Sequence, residues 1–141
     1  MYKILIVEDE TLLRKGLIFS FYFAKLNTVV VSEAENGLQG IEQIEKYRPD
    51  IVITDITMPY KSGLEMIEET RLKYDYSAII LTGYNEFEYA KKAINYGVSQ
   101  YILKPVNHKE LEEAILKYIK QIEMKKTYEI MPHKINKKLY C

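Results

Sequence analysis

Five short apolar runs alternate along the chain with segments whose apolar residues recur at helical spacing. The runs cover residues 3–7, 28–35, 51–55, 77–81 and 99–103. Apolar runs of this length are typical of strands buried on both faces of a parallel sheet. Strands that alternate with helices place the helices on both sides of that sheet. The sequence therefore predicts an α/β domain with a doubly wound, five-stranded parallel sheet.

The segments between the runs predict five helices. They are expected at residues 11–27, from Asn36 as the cap to about Tyr47, at 64–74, at 86–96 and from His108 onward. The last pattern fades near residue 124, and residues 125–141 show neither period and carry a basic bias. We therefore expect one domain over residues 1–124 and a poorly ordered tail, or the start of a linker, over 125–141.

Composition excludes several classes of protein. The chain has 141 residues, with 20 Lys plus Arg against 20 Asp plus Glu, so its formal net charge is zero. Domains with a dominant nucleic-acid-binding surface are usually clearly basic. The single cysteine, Cys141, allows no intramolecular disulfide. Acidic residues interrupt the first apolar run and no run reaches about 18 residues, so we expect a cytoplasmic protein without membrane contact.

Polar side chains follow four of the five runs at the point where each strand ends. They are Glu8, Asp9, Asp55, Thr82 and Lys104. The carboxyl ends of parallel strands share one edge of the sheet, where open α/β sheets place their ligand sites. Three carboxylates brought together repel each other unless a cation joins them. Oxygen-only ligands favour a hard ion, so the sequence predicts a Mg²⁺ site.

A divalent ion, a lysine and a hydroxyl at one edge together suit a phosphoryl group. Asp55 can act as the nucleophile that forms an aspartyl phosphate, with Mg²⁺, Lys104 and Thr82 each holding one phosphoryl oxygen. Each residue also has an ordinary structural interpretation. Glu8 and Asp9 can be carboxylates at a helix N-terminus, Thr82 a turn residue and Lys104 an edge-strand lysine.

The motifs Glu8-Asp9, Asp55-Ile-Thr-Met-Pro59, Thr82-Gly83 and Lys104-Pro105 resemble those of the receiver domains of two-component response regulators. The resemblance covers about residues 2–124. It implies a CheY-like (flavodoxin-like) fold with strand order 2-1-3-4-5. It also implies a cytoplasmic regulatory switch rather than an enzyme, which a sensor histidine kinase phosphorylates on Asp55 with Mg²⁺.

The resemblance also assigns roles to the other residues at this edge. It implies that Asp9 is a direct metal ligand and that Glu8 acts on the metal through water. It also implies that the backbone carbonyl of Thr57 is a metal ligand. Lys104 becomes the phosphate-binding lysine. Its peptide bond to Pro105 is expected to be cis.

In the same family resemblance, Thr82 moves toward the phosphoryl group and Tyr101 swings inward. Both changes act on the face formed by the fourth helix, fifth strand and fifth helix, which implies a homodimer when the protein is phosphorylated. From the residues alone, the preferred interpretation of Tyr101 is an ordinary half-buried strand tyrosine. Thr57 and Tyr84 lie at positions that affect lifetime, and a bulky Tyr84 predicts a phosphorylated form lasting minutes or longer.

The stretches 81–94 and 101–106 are similar to receivers of regulators with an AraC-type DNA-binding output domain. DNA contact is then expected only through such a domain, which these residues do not contain.

Three alternatives stay open from the sequence. A haloacid-dehalogenase-type phosphatase also forms an aspartyl phosphate, but its second aspartate would stand where Thr57 is. A flavodoxin-like electron carrier needs a phosphate loop after the first strand, where Glu8 and Asp9 stand instead. A receiver that no longer reacts and serves only for interaction fits the fold, although every reactive position is filled.

Overall fold

The computed structural model describes residues 1–130, except for the side chains of Tyr84 and Phe87. Five parallel strands form one sheet in the order β2-β1-β3-β4-β5. The strands are β1 (Tyr2–Val7), β2 (Thr28–Ala34), β3 (Ile51–Asp55), β4 (Ser77–Thr82) and β5 (Gln100–Leu103). The helices are α1 (Thr11–Ser20), α2 (Gly37–Tyr47), α3 (Gly63–Thr70), α4 (Phe87–Lys92) and α5 (His108–Ile130). This confirms the predicted fold class and strand order.

The sheet is buried on both faces, as the continuous apolar runs predicted. Alternate residues of each strand point to opposite sides. Ile53 and Ile79 pack with Leu111 and Ile115 of α5, together with α1, on one face. The other face contains Leu5, Val52, Ile80, Ile44, Met66 and Ile67, which join the sheet to α2 and α3. Both layers leave the carboxyl edge of the sheet open for polar residues.

The first, third and fourth helices are shorter than predicted. α3 ends at Thr70 rather than near residue 74. α1 ends at Ser20, and the predicted remainder becomes an extended residue, Phe21, followed by a 3-10 turn over Phe23–Leu26. The break lets Phe21 and Phe23 both enter the core, where their ring centroids lie 4.6 Å apart. In the predicted 86–96 helix, α4 is flanked by 3-10 turns at Tyr84–Glu86 and Ala93–Tyr96.

The fifth helix is longer than predicted. It continues past residue 124 to Ile130, so the part of the expected tail at residues 125–130 is helical. Lys125 forms an ion pair with Asp75 at 2.9 Å, and the Thr127 hydroxyl donates to the carbonyl of Glu123. The helix thus continues beyond the end of its apolar pattern, with one ion pair to Asp75 and one hydrogen bond within the helix. The remainder of the predicted tail, residues 131–141, lies outside the described residues. Among residues 1–130, no helix combines the length and apolar character needed to cross a membrane.

Candidate functional site

Three carboxylates meet at the carboxyl edge of the sheet. Glu8 and Asp9 follow β1, and Asp55 ends β3, which is hydrogen-bonded to β1. One oxygen from each carboxylate lies within 4.8 Å of the others. Glu8 and Asp55 are buried and Asp9 is half-buried. The neighbouring positions of β1 and β3 thus bring together the acidic residues that the sequence placed at the two strand ends.

Lys104 joins this cluster from the end of β5. Its Nζ lies 2.9 Å from Asp55 Oδ2 and donates to Glu8 Oε1 at 3.0 Å. The backbone N–H of Lys104 donates to the carbonyl of Thr82 at 2.8 Å, which fixes the lysine beside β4. The bond from Lys104 to Pro105 is cis, as expected. The lysine is therefore the cation that holds two of the three acids together.

The charged forms of Asp9 and Asp55 are disfavoured despite this lysine. Burial raises the pKa of Asp55, and the contact with Lys104 opposes that shift without outweighing it. Burial and the neighbouring Glu8 raise the pKa of Asp9. Burial would lower the pKa of Lys104, but hydrogen bonds to Asp55 and Glu8 raise it. The cluster holds excess negative charge that a further cation can neutralise.

The residues present fit a hard divalent cation. Carboxylate oxygens converge in the cluster, and the group contains neither a sulfur ligand nor an imidazole. Such oxygen ligands suit Mg²⁺, which takes one or two carboxylates and keeps several waters. Asp9 and Asp55 are placed to supply direct ligands, with Glu8 beside them.

The loop after Asp55 is fixed by close backbone contacts. The N–H of Ile56 donates to Asp55 Oδ1 at 2.8 Å, and the N–H of Gly63 donates to the Ile56 carbonyl at 2.7 Å. A Cβ on Gly63 would lie 2.1 Å from the Asp55 carbonyl oxygen, so this position needs glycine. Ser62 and Glu65 form a capping box that starts α3 at this point. The loop therefore presents Asp55 in one orientation.

Arg14 is a site residue that the sequence analysis did not select. It belongs to α1, and its side chain is buried although it is charged. Its Nη1 donates to the backbone carbonyl of Glu8 at 2.6 Å, and its Nε donates to Glu33 Oε1 at 2.7 Å. Arg14 therefore anchors the loop that carries Glu8 and Asp9. No sequence signal identifies a partner that is a backbone carbonyl.

Glu86 is the second residue that the sequence analysis missed, since it was read only as a helix start. Its Oε2 accepts from the N–H of Thr57 at 3.2 Å and its Oε1 accepts from the N–H of Gly83 at 3.0 Å. Burial would raise the pKa of Glu86, but hydrogen bonds from the Thr57 side chain and from the backbone of Gly83 and Thr57, together with the charge of Lys104, lower it. Glu86 therefore stays charged while it spans the loops after β3 and β4.

The two residues expected to switch, Thr82 and Tyr101, lie on β4 and β5 respectively. Thr82 is buried at the end of β4, and its hydroxyl donates to the carbonyl of Gly83 at 3.1 Å. Tyr101 is half-buried on β5, with its hydroxyl donating to the carbonyl of Val98 at 2.8 Å. The predicted effect of Tyr84 on lifetime concerns a side chain outside the described residues.

Comparison with known proteins agrees with this geometry. The model of the response regulator receiver domain family matches residues 4–116. The transcriptional regulatory protein YesN of Bacillus subtilis is 37% identical over 141 residues, with the match covering 96% of this chain and 38% of that protein. The chain spans less than half the length of this and other curated relatives that it matches.

Solved structures show the same similarity. The receiver domain of AraT, a response regulator from Geobacillus stearothermophilus, superposes with a TM-score of 0.83 at 35% identity, covering 89% of this chain and 98% of that one. A two-component transcriptional regulator AraC from Clostridium phytofermentans has a TM-score of 0.81 at 32% identity, covering 88% and 97%.

Proposed function

Because this chain belongs to the response regulator receiver domain family, we propose that it is a phosphorylation-dependent switch that accepts a phosphoryl group on Asp55. The family assignment makes it a regulatory domain and separates it from the phosphatase and flavodoxin-like alternatives. The observation that carries the proposal is the Asp55 carboxylate, held by Lys104 at 2.9 Å beside two further acids. An aspartate with a purely structural role would not require a lysine and two further carboxylates around it.

The proposed reaction is a displacement at phosphorus. Asp55 Oδ2 forms a bond to phosphorus while the bond from phosphorus to the nitrogen of a kinase phosphohistidine breaks. The electron pair leaves with that nitrogen, which takes up a proton from water. The Ile56 N–H holds Oδ1, and Lys104 moves from Oδ2 onto a phosphoryl oxygen. The residues contribute mainly by positioning and by neutralising charge.

We assign Mg²⁺ binding to Asp9, Asp55 and the backbone carbonyl of Thr57, with Glu8 acting through water. When bound, the ion supplies positive charge to the phosphoryl oxygens. Burial and the neighbouring Glu8 raise the pKa of Asp9, and a bound cation would oppose that shift by favouring the charged carboxylate. The excess negative charge of the cluster supports this assignment.

In the proposed switch, Thr82 turns its hydroxyl from the Gly83 carbonyl to a phosphoryl oxygen, and Tyr101 moves into the space beside it. The face formed by α4, β5 and α5 then changes shape. Moving such an equilibrium from 1:99 to 99:1 takes about 5.5 kcal/mol of differential binding. Lys104 and Thr82 are the residues from which we expect that difference to come.

The partners in this proposal are a sensor histidine kinase and a second copy of the chain. Phosphorylation would favour a homodimer through the α4-β5-α5 face, in the cytoplasm. The relatives named as transcriptional regulators support an output in transcription, with DNA bound by an AraC-type output domain. We propose residues 1–124 as the receiver unit and the remainder as its connection to that output.

The test is incubation with acetyl phosphate, with and without Mg²⁺, followed by intact mass measurement. We expect a Mg²⁺-dependent gain of one phosphoryl group that Asp55→Asn abolishes. Asp75→Asn is the matched control, because Asp75 is exposed and contacts only Lys125 among the described partners. A folded protein that gains no phosphoryl group would instead be a module that only binds partners.

A further inference from the structure

Glu86 occupies a pair of backbone amides that come from two different loops. The N–H of Thr57 follows β3 and the N–H of Gly83 follows β4, and one Glu86 oxygen accepts from each. Glu86 is half-buried and ends the 3-10 turn that leads into α4. Two converging N–H groups that hold a carboxylate form an anion-binding site. This site already contains an anion from the protein itself.

The amide pair belongs to the Asp55 site. Thr57 lies two residues after Asp55, and Gly83 directly follows Thr82. The charge of Glu86 contributes to raising the pKa of Asp55, and the charge of Lys104 contributes to lowering that of Glu86. Glu86 therefore acts electrostatically on the same carboxylate that the proposed function phosphorylates.

We propose that Glu86 is an internal competitor of the phosphoryl group, which holds the amides of Thr57 and Gly83 in the unphosphorylated protein and leaves them when Asp55 is phosphorylated. This inference rests on the proposed function. A phosphoryl group adds a charge of about −1.5 to −2 and three acceptor oxygens. Those oxygens repel the Glu86 carboxylate and satisfy the N–H groups that it releases.

If the Glu86 side chain leaves the two amides, the restraint on α4 changes because of where Glu86 lies. α4 begins at the next residue, Phe87. With its side chain on Thr57, Glu86 links the start of α4 to the loop after β3. Its release removes that link, so phosphorylation changes the restraint on α4 directly. The competitor thus connects the chemistry at Asp55 to the proposed interaction face.

The experiment measures the binding of beryllium fluoride, a phosphoryl mimic, in the presence of Mg²⁺ by titration calorimetry. Wild type, Glu86→Gln and the control Glu88→Gln are compared. Gln keeps the shape of Glu86 and removes its charge, while Glu88 is an exposed acid of α4. We expect Glu86→Gln to bind the mimic roughly tenfold more tightly, a typical coupling between two competing groups. Glu88→Gln should bind like wild type.

Each outcome separates the two proposals. Equal or weaker binding by a folded Glu86→Gln would show that Glu86 is only a structural link, and it would overturn this inference while leaving the proposed function intact. Wild type that neither binds the mimic nor gains a phosphoryl group would overturn both. Glu86→Asp keeps the charge but is one methylene too short to reach both amides, so it should also bind more tightly than wild type. Wild-type affinity in that variant counts against the competition.

Discussion

Replacing Asp55 by Asn tests the charge balance of the site through stability. Asn keeps the size of the side chain and an oxygen that can accept from the Ile56 N–H, which lies 2.8 Å from Asp55 Oδ1. It removes one of the three charges whose oxygens lie within 4.8 Å of one another. We expect the variant to be more stable than wild type at pH 7 when divalent cations are chelated.

The distances give the size of this effect. The oxygens of the three acids lie no more than 4.8 Å apart. At an effective dielectric constant of about 20, repulsion of Asp55 by Glu8 and Asp9 together therefore amounts to at least about 7 kcal/mol. The attraction to Lys104 at 2.9 Å amounts to about 6 kcal/mol on the same scale. The balance predicts a gain of at least about 1 kcal/mol in the free energy of unfolding, and the burial of the charge adds to it.

The gain should depend on pH in a defined direction. The pKa of Asp55 is raised in the folded protein, so the folded state keeps this proton at pH values where the unfolded state has lost it. Wild-type stability therefore falls as pH rises above the ordinary value of 3.8. The advantage of Asp55→Asn should be complete at pH 7 and should shrink as the pH is lowered toward 4.

Urea unfolding with chelator, at several pH values, measures this difference. Asp75→Asn is the control and should change stability by less than about 0.5 kcal/mol, since Asp75 is an exposed partner of Lys125. Saturating Mg²⁺ should reverse the order, because a cation at 100 times its dissociation constant stabilises wild type by about 2.7 kcal/mol. An Asp55→Asn variant less stable than wild type in chelator would refute the reasoning, since attraction to Lys104 would then dominate.

Three further substitutions test the surroundings of Asp55. Gly63→Ala should lower the free energy of unfolding, measured in urea, by about 2–3 kcal/mol, because the new Cβ collides with the Asp55 carbonyl. Gly16→Ala is the control, since a Cβ at this helical position meets no atom within 4 Å, and it should not lower stability. Equal effects of the two substitutions would contradict the collision. Ser62→Ala should cost about 1 kcal/mol by thermal unfolding, since it removes the α3 capping box, and an unchanged melting temperature would count against it. Lys104→Met should cost about 2 kcal/mol at pH 7. The pKa of Lys104 is raised in the folded protein, so its charge stabilises fully below the ordinary lysine pKa of 10.5, and this stabilisation is lost as the pH rises above that value. The loss caused by Lys104→Met should therefore diminish above pH 10.5. A loss that does not depend on pH would speak against the ion pairs.

The strands and the converging acids could be predicted because they follow from chain order. In a parallel sheet, the residue after each apolar run must lie at the same edge, so the positions of Asp55 and Lys104 needed no tertiary information. The cap of α2 was also predicted, since the Asn36 side chain accepts from the backbone of Gln39. The roles assigned to these residues come from the family resemblance and remain predictions.

The helix ends and two site residues could not be predicted for a shared reason. α1 ends at Ser20, and Phe21 and Phe23 beyond it are buried in the core. This burial depends on tertiary packing, which the helical spacing of apolar residues does not reveal. Arg14 and Glu86 are ordinary surface charges in the sequence. Each contacts the backbone of a site loop, Arg14 at the Glu8 carbonyl and Glu86 at the N–H groups of Thr57 and Gly83, and a backbone group carries no sequence signal.

The two sides of the Asp55 carboxylate differ in how freely their sequence can vary. On the β3 side, Gly63 lies against the Asp55 carbonyl, and a Cβ on Gly37 would lie 2.5 Å from the Lys61 carbonyl. At both positions a new Cβ would collide with a backbone carbonyl, and a substitution of a neighbouring side chain could not relieve that collision. On the β4 side, Thr82 and Glu86 meet the site through side chains. Substitutions at Thr82 and Glu86 can therefore alter the site without disturbing the backbone, and under the proposed function they would change phosphoryl affinity. Residues 56–63 hold the backbone fixed, so such variants can be compared with wild type.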